Sequence, residues 1–193
     1  MLAAAVRTRR PRFLVALSAL LLGLGLSACH HRGAVTAAET EGLYLAAGPL
    51  TYQVQLSRQL NPAAVEDRSY LVGLPPGTAP PKPDEEWFGV WLEVKNEGKQ
   101  PARTSDSFKI VDTLDNTYEP IPLTPANPFA YQAVTLAPRA FEPPADSPAQ
   151  NGPVQGSLLL FKLKTAAYQN RPVELQILAP GAQRVLDTVK LDL

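Results

Sequence analysis

Proline most limits what this chain can fold into. It supplies 20 of the 193 residues, and all but Pro11 lie beyond residue 28. An average protein holds about 5% proline. A proline inside a helix removes a backbone donor and collides with the preceding turn. The spacing of these prolines leaves few intervals for a long helix. Strands joined by ordered loops are the expected outcome.

In the intervals that remain, apolar and polar side chains alternate with the period of a half-buried strand. Tyr52-Gln53-Val54-Gln55-Leu56 reads this way. Between 87 and 96, Phe88, Val90, Leu92 and Val94 share one face; Trp87, Gly89, Trp91, Glu93 and Lys95 share the other. Asn96-Glu97-Gly98-Lys99 then supplies turn chemistry. Residues 107–111 form a further strand, and Asp115-Asn116 suits a tight hairpin turn because both tolerate the left-handed region. Later strands are expected over 156–164, 173–177 and 184–193. Asn61 or Pro62 is placed to start a short helical turn. This spacing predicts an all-β fold, an antiparallel β-sandwich over residues 51–193. Within it, 120–153 holds nine prolines and reads as a long excursion with one edge strand. Excursions of this length are uncommon in compact domains and often functional.

Residues 1–28 have the three-part layout of an export signal. Arg7, Arg9, Arg10 and Arg12 make a basic start, 13–26 is apolar, and Ser27 and Ala28 are small. The apolar run has 14 residues where a spanning helix needs about 20, so cleavage is expected. Arg9-Arg10 follows the twin-arginine pattern only loosely, and general secretion is the expected route. Leu26-Ser27-Ala28-Cys29 matches the bacterial lipobox. Cys29 is the chain's one cysteine, which excludes a disulfide within it. The expectation is a lipid on Cys29, anchoring the protein to the cell membrane on its extracytoplasmic face. Two or more acyl chains hold such an anchor stably. Residues 29–50 have few large apolar groups and read as a flexible tether. Loss of the four leader arginines from 18 basic residues leaves 14 against 18 acids, a charge of −4. No basic cluster suggests nucleic acid.

Trp87-Phe88-Gly89-Val90-Trp91-Leu92-Glu93-Val94-Lys95-Asn96 is followed by Gly98, Pro101 and Phe108-Lys109-Ile110-Val111-Asp112. Asn116, Tyr118, Gly156 and Leu160-Phe161-Lys162-Leu163 come after. Together, over roughly 52–177, they resemble a family of secreted bacterial lipoproteins with a domain of unknown function. The resemblance implies an immunoglobulin-like sandwich, similar in shape to a mycobacterial immunoprotective extracellular protein. It implies no activity, and the long excursion departs from the family's shorter connection.

The chemistry that the chain excludes is informative. After the leader its two histidines are His30 and His31, both beside Cys29. A catalytic base needs fixed reach to its substrate, so Ser–His–Asp and Cys–His mechanisms are not expected. No metal and no cofactor is expected: two neighbouring histidines fall short of a closed site. Asp84-Glu85-Glu86 cannot turn all three carboxylates inward as calcium requires. Asp106, Asp112 and Asp115 read as turn residues. The expected role is therefore non-enzymatic: a binding or adaptor module for an envelope protein or polysaccharide. A carboxylate-dependent enzyme acting on wall polymers and a purely structural domain are the alternatives. Candidate contacts are Trp87, Trp91, Asn127, Phe129 and Tyr131. Either the two tryptophans form an exposed platform, or the excursion covers them with Phe129, Tyr131 and Phe141 as a second core.

Overall fold

The computed structural model describes residues 35–193. The leader, Cys29, His30 and His31 lie outside the described residues. Among the described residues, no helix is long and apolar enough to cross a membrane.

Two sheets face each other. The first contains, in spatial order, β1 (Ala37–Ala38), β12 (Val185–Lys190), β11 (Glu174–Leu178), β6 (Phe108–Val111) and β7 (Thr117–Tyr118). The second contains β10 (Ser157–Lys164), β4 (Glu85–Asn96), β3 (Leu50–Leu60) and β2 (Tyr44–Ala47). The short β9 (Phe141–Glu142) adds to the end of β4, and β5 (Ala102–Arg103) pairs with β8 (Thr135–Leu136). Among the described residues, all pairings between these strands are antiparallel except β1 with β12. In an immunoglobulin sandwich A, B and E lie in one sheet and C, F and G in the other. Here β3, β4 and β10 occupy the first set and β6, β11 and β12 the second. The fold is an immunoglobulin-like β-sandwich.

Prolines shape this fold by exclusion, since among the described residues none falls inside a strand. Helices are correspondingly short. Among the described residues they are α1 (Val65–Arg68), α2 (Pro148–Asn151) and two 3₁₀ turns, Ser69–Leu71 and Thr165–Gln169. Pro148 opens α2, where a missing N–H costs nothing, and Ser147 caps it by accepting from Gln150 N at 3.2 Å.

The main core lies between the sheets. Phe88, Val90, Leu92 and Val94 of β4 meet Leu159, Phe161 and Leu163 of β10, Ile110 of β6, and Leu175 and Ile177 of β11. An antibody domain pins its B and F strands with a disulfide. With no cysteine in the sandwich, apolar contact alone joins β4 to β11.

Three expectations are corrected. First, the flexible tether cannot extend to residue 50, because 35–50 already belongs to the sandwich. β1 pairs with β12 and β2 with β3, while Ala38 and Leu45 are buried in the main core. Backbone pairing, which needs no large side chains, orders this stretch. Second, Leu56 does not share the face of Tyr52 and Val54. The β3–β4 register jumps from Val54↔Leu92 to Leu56↔Trp91, so Gln55 is the extra residue of a bulge. A one-residue slip sends every later side chain to the other face. Third, the excursion holds two short strands, β8 and β9, as well as α2, rather than one edge strand.

The excursion also closes the free edge of β10. Ile121 N donates to Leu160 O at 2.7 Å, Leu158 N to Phe129 O at 2.6 Å, and Tyr131 N to Leu158 O at 2.9 Å. An uncovered edge would invite pairing with another chain.

Gly89 seats the largest side chain in the second sheet. A Cβ there would lie 2.7 Å from Cη2 and 2.8 Å from Cζ3 of Trp91. The indole lies across the space left by the missing side chain. Gly89→Ala is expected to destabilise the fold by about 1–3 kcal/mol, the usual cost of overpacking. Denaturant unfolding should show a lower midpoint at unchanged slope; an unchanged midpoint would refute this seating.

Candidate functional site

Trp87, Trp91 and Phe129 assemble a second core, not a platform. Trp91 is fully buried and Trp87 nearly so. Leu60, Tyr70, Leu158 and Leu160 pack with them, and Leu56, Ile121, Leu123 and Phe129 close the margin. Tyr70 meets Trp91 edge-on at 5.1 Å and Phe129 at 4.9 Å between ring centroids. The Arg58 guanidinium lies 5.4 Å from the Trp91 ring centre, and Lys162 Nζ lies 5.3 Å from that of Trp87. Arg58 is held by Asp67 at 2.6 Å, and Asp67 also accepts from Asn61 N at 2.7 Å. The hydrogen bond from Arg58 holds the Asp67 carboxyl below its ordinary range.

Asn127 is a staple beneath this cover. Its Nδ2 donates to Tyr70 O and Val72 O, both at 2.9 Å, and its Oδ1 accepts from Phe129 N at 2.8 Å. It is buried, so it cannot serve as a surface contact without unfolding the loop. The three aromatics of the excursion separate. Phe129 covers the tryptophans. Tyr131 packs on the main core, edge-on to Phe108 at 5.1 Å, and its hydroxyl donates to Ser105 O at 2.7 Å. Burial pushes its phenol well above the ordinary range. Phe141 sits opposite Lys95 on the β9–β4 ladder. Sequence reasoning could not sort them, because their partners lie dozens of residues away.

Where the excursion meets the two sheets, it leaves a cleft of about 370 Å³. Asp106, Glu119, Gln132 and Ser107 give it polar walls; Ile121, Leu123 and Tyr131 give it apolar ones. No lysine or arginine lines it, so it suits a neutral or cationic ligand with one apolar side. Asp106 accepts from Gly181 N at 3.2 Å and lies 3.9 Å from Arg103. Of the five candidate contacts, only Tyr131 lines this cleft. Asp106 was read as a turn residue, and nothing in local sequence joins it to Glu119.

A second groove of about 380 Å³ runs past Trp87, between Gln59, Asn61, Pro80, Pro81 and Glu86. Here the acidic run is divided: Glu85 accepts from Lys82 N at 3.1 Å, and Glu86 accepts from the Tyr168 hydroxyl. Asp112 accepts from Leu114 N, Asn116 N and the Asn170 amide, which is turn and loop chemistry. Among the described residues, no group of three His, Cys, Asp or Glu side chains is placed to hold a metal ion.

No family model matches the chain, and no curated protein matches it either. Three solved structures are similar in shape. The yjhA protein of Bacillus subtilis is 12% identical, with a TM-score of 0.48, covering 80% of this chain and 99% of its own. The lipoprotein candidate ycdA of the same species is 12% identical at a TM-score of 0.44, covering 77% of this chain; the match spans 37% of ycdA. An uncharacterized β-sandwich protein from Clostridium difficile 630 is 10% identical at 0.40, covering 80% of this chain and 95% of its own. The strand order described above carries the fold assignment.

One buried carboxylate belongs to no site. Asp187 shares the core-facing side of β12 with Val189, is 1% exposed, and neither oxygen has a hydrogen-bond partner. Burial pushes its carboxyl up to about 6 from 3.8. A raised acid favours folding below pH 4, and that contribution is lost as pH climbs toward 6. Between pH 4 and 7 the loss should be about 1–2 kcal/mol, discounted for solvent screening. Asp187→Asn should remove that slope in urea titrations, and a variant with the slope intact would show that Asp187 is not its source.

Proposed function

We propose that this protein is a lipid-anchored, non-enzymatic binding module on the extracytoplasmic face of a bacterial cell membrane. The observation that carries this reading is the lipobox ending at Cys29, only six residues ahead of Val35, where the described sandwich begins. The domain beyond it contains no histidine and no cysteine, which removes the commonest nucleophiles and bases. Loops on a rigid sandwich are free to serve as contact surfaces. The cleft beside Tyr131 is the seat for the ligand, an envelope protein segment or a polysaccharide, and it replaces the tryptophan face in that role.

A second reading has one observation in its favour. Asp106 and Glu119 line the same cleft, and glycosidases work with two carboxyl groups across a scissile bond. Release of reducing sugar from wall polymer by wild type, lost in Glu119→Gln, would support that reading over the first.

Cys29→Ser tests the anchor. The variant should leave the membrane fraction, and intact-mass measurement of the wild-type protein should show cleavage before Cys29 with added acyl chains. Persistence of Cys29→Ser in the membrane fraction, or an unmodified thiol, would overturn the reading.

A further inference from the structure

The end of the sandwich at which the described chain begins gathers exposed cations. Val35 lies there, its carbonyl accepting from Ala46 N at 2.8 Å beside the Gly48-Pro49 turn. The turn after β4 is at the same end, since Glu97 N donates to Pro49 O at 2.9 Å. So is Arg139, whose N donates to Asn96 O at 2.8 Å. Arg103 and Arg184 line one cleft with Gly48 and Pro49. Lys95, Lys99, Arg103, Arg139 and Arg184 are all exposed. Lys95 pairs with Glu97 at 2.7 Å, and Arg103 stands 3.9 Å from Asp106. Glu93 lies two positions further from the end on β4. Among the described residues, no ion pair engages Lys99, Arg139 or Arg184. Five cations against Glu97 and Asp106 make this end net positive on a chain that is otherwise acidic. Val185 is exposed beside Arg184.

Chain length decides which end faces the bilayer. Five residues separate Cys29 from Val35, and the six extended steps between the two reach about 22 Å at most. The 12 residues of β4 span about 40 Å. A lipid on Cys29 can therefore hold only the cationic end near the surface. The opposite end carries Asp84, Asp112 and Asp115 and points away.

We propose that this end docks on anionic phospholipid headgroups, with Lys99, Arg139 and Arg184 as its free contacts, and so fixes the domain's orientation. The proposal rests on the lipid anchor for its geometry. Its charge chemistry is independent of the anchor: cations near an anionic surface are attracted within about a Debye length, roughly 8–10 Å in physiological salt.

The acylated protein, purified from membranes, tests it in vesicles of phosphatidylcholine with or without phosphatidylglycerol. Once Cys29 is acylated, a thiol placed by Gln183→Cys at the cationic end, or by Leu114→Cys at the far end, takes a fluorophore alone. Headgroup nitroxides should quench the probe at 183 more than that at 114 in either vesicle, since the tether reaches only that end, and the ratio should rise several-fold with phosphatidylglycerol present. Lys99→Ala, Arg139→Ala and Arg184→Ala combined should remove that rise without releasing the protein, and high salt should do the same to the wild-type surface. Equal quenching at both positions, or quenching indifferent to phosphatidylglycerol, salt and the triple variant, would overturn the proposal. A second arm uses the chain from residue 29 with Cys29→Ser. It should cosediment roughly 100-fold better with the anionic vesicles than with phosphatidylcholine alone, given three free cations; no preference would overturn the docking chemistry. If Cys29 proves unmodified, the anchor reading falls, and this arm still decides whether the end binds headgroups.

Discussion

Strand β4 is buried on both faces, and the rest of the structure answers to that constraint. Its inner side chains fill the space between the sheets, as in any sandwich. Its outer side chains include Trp87 and Trp91, whose apolar area is too large to leave in water. Antiparallel sheets usually solvate one face. This one cannot, so it needs a third layer. The proline-rich excursion is that layer. It lacks the donors to form a sheet of its own, but it has enough to bond the edge of β10. It thereby covers the tryptophans and protects the edge with one segment. The candidate cleft opens where that cover stops.

Polar groups hold the cover where apolar contact alone would let it slide. Asn127 ties the excursion to the loop at 70–72 with two hydrogen bonds and accepts a third from Phe129 N within the excursion. Asn96 does the same at the other end of β4, donating to Gln100 O and Leu136 O and accepting from Gly98 N, each at 2.9 Å. Both are buried and satisfied, as buried amides must be. The Arg58–Asp67 pair, laid over aromatic rings, fixes the short helical segment against the same layer. Asp187 is the exception among the buried carboxylates, with no partner for either oxygen; Trp91 Nε1 and Gln150 Oε1 are also buried without one.

Charge distributes these features along the molecule. The strands run from an end where, among the described residues, Lys99, Arg139 and Arg184 have no ion-pair partner to an end where Lys82 and Lys190 pair with Glu85 and Glu39. The described residues begin at the cationic end. A lipid on Cys29 and a surface of anionic headgroups would then act on the same end, one by covalent attachment and one by electrostatics. The cleft beside Tyr131 would be presented on the flank of the domain, reached from the side.

Much of the fold was legible because its causes are local. Prolines forbid helices wherever they stand, and alternation marks a strand before any partner is known. The strands around Phe88–Val94, Leu159–Leu163 and Leu175–Ile177 follow from those two rules, as does the hairpin at Asp115. The lipobox is likewise a local pattern, and with it come the proposed address and the absence of a histidine base from the domain. Other features had no local cause. The Gln55 bulge depends on fitting β3 to β4, so Leu56 turns outward against its own alternation. Residues 35–50 look too small and polar to fold, but the edges of β3 and β12 order them through backbone bonds. Trp91 is core because Phe129 and Tyr70 arrive from elsewhere in the chain, and Asp106 shares a cleft with Glu119 because two loops meet. Sequence alone determined which segments extend and where the proposed anchor would attach, since those depend on neighbours in the chain. Tertiary structure decided which faces are covered, which side chains share a cleft and which end is cationic, since those depend on neighbours in space.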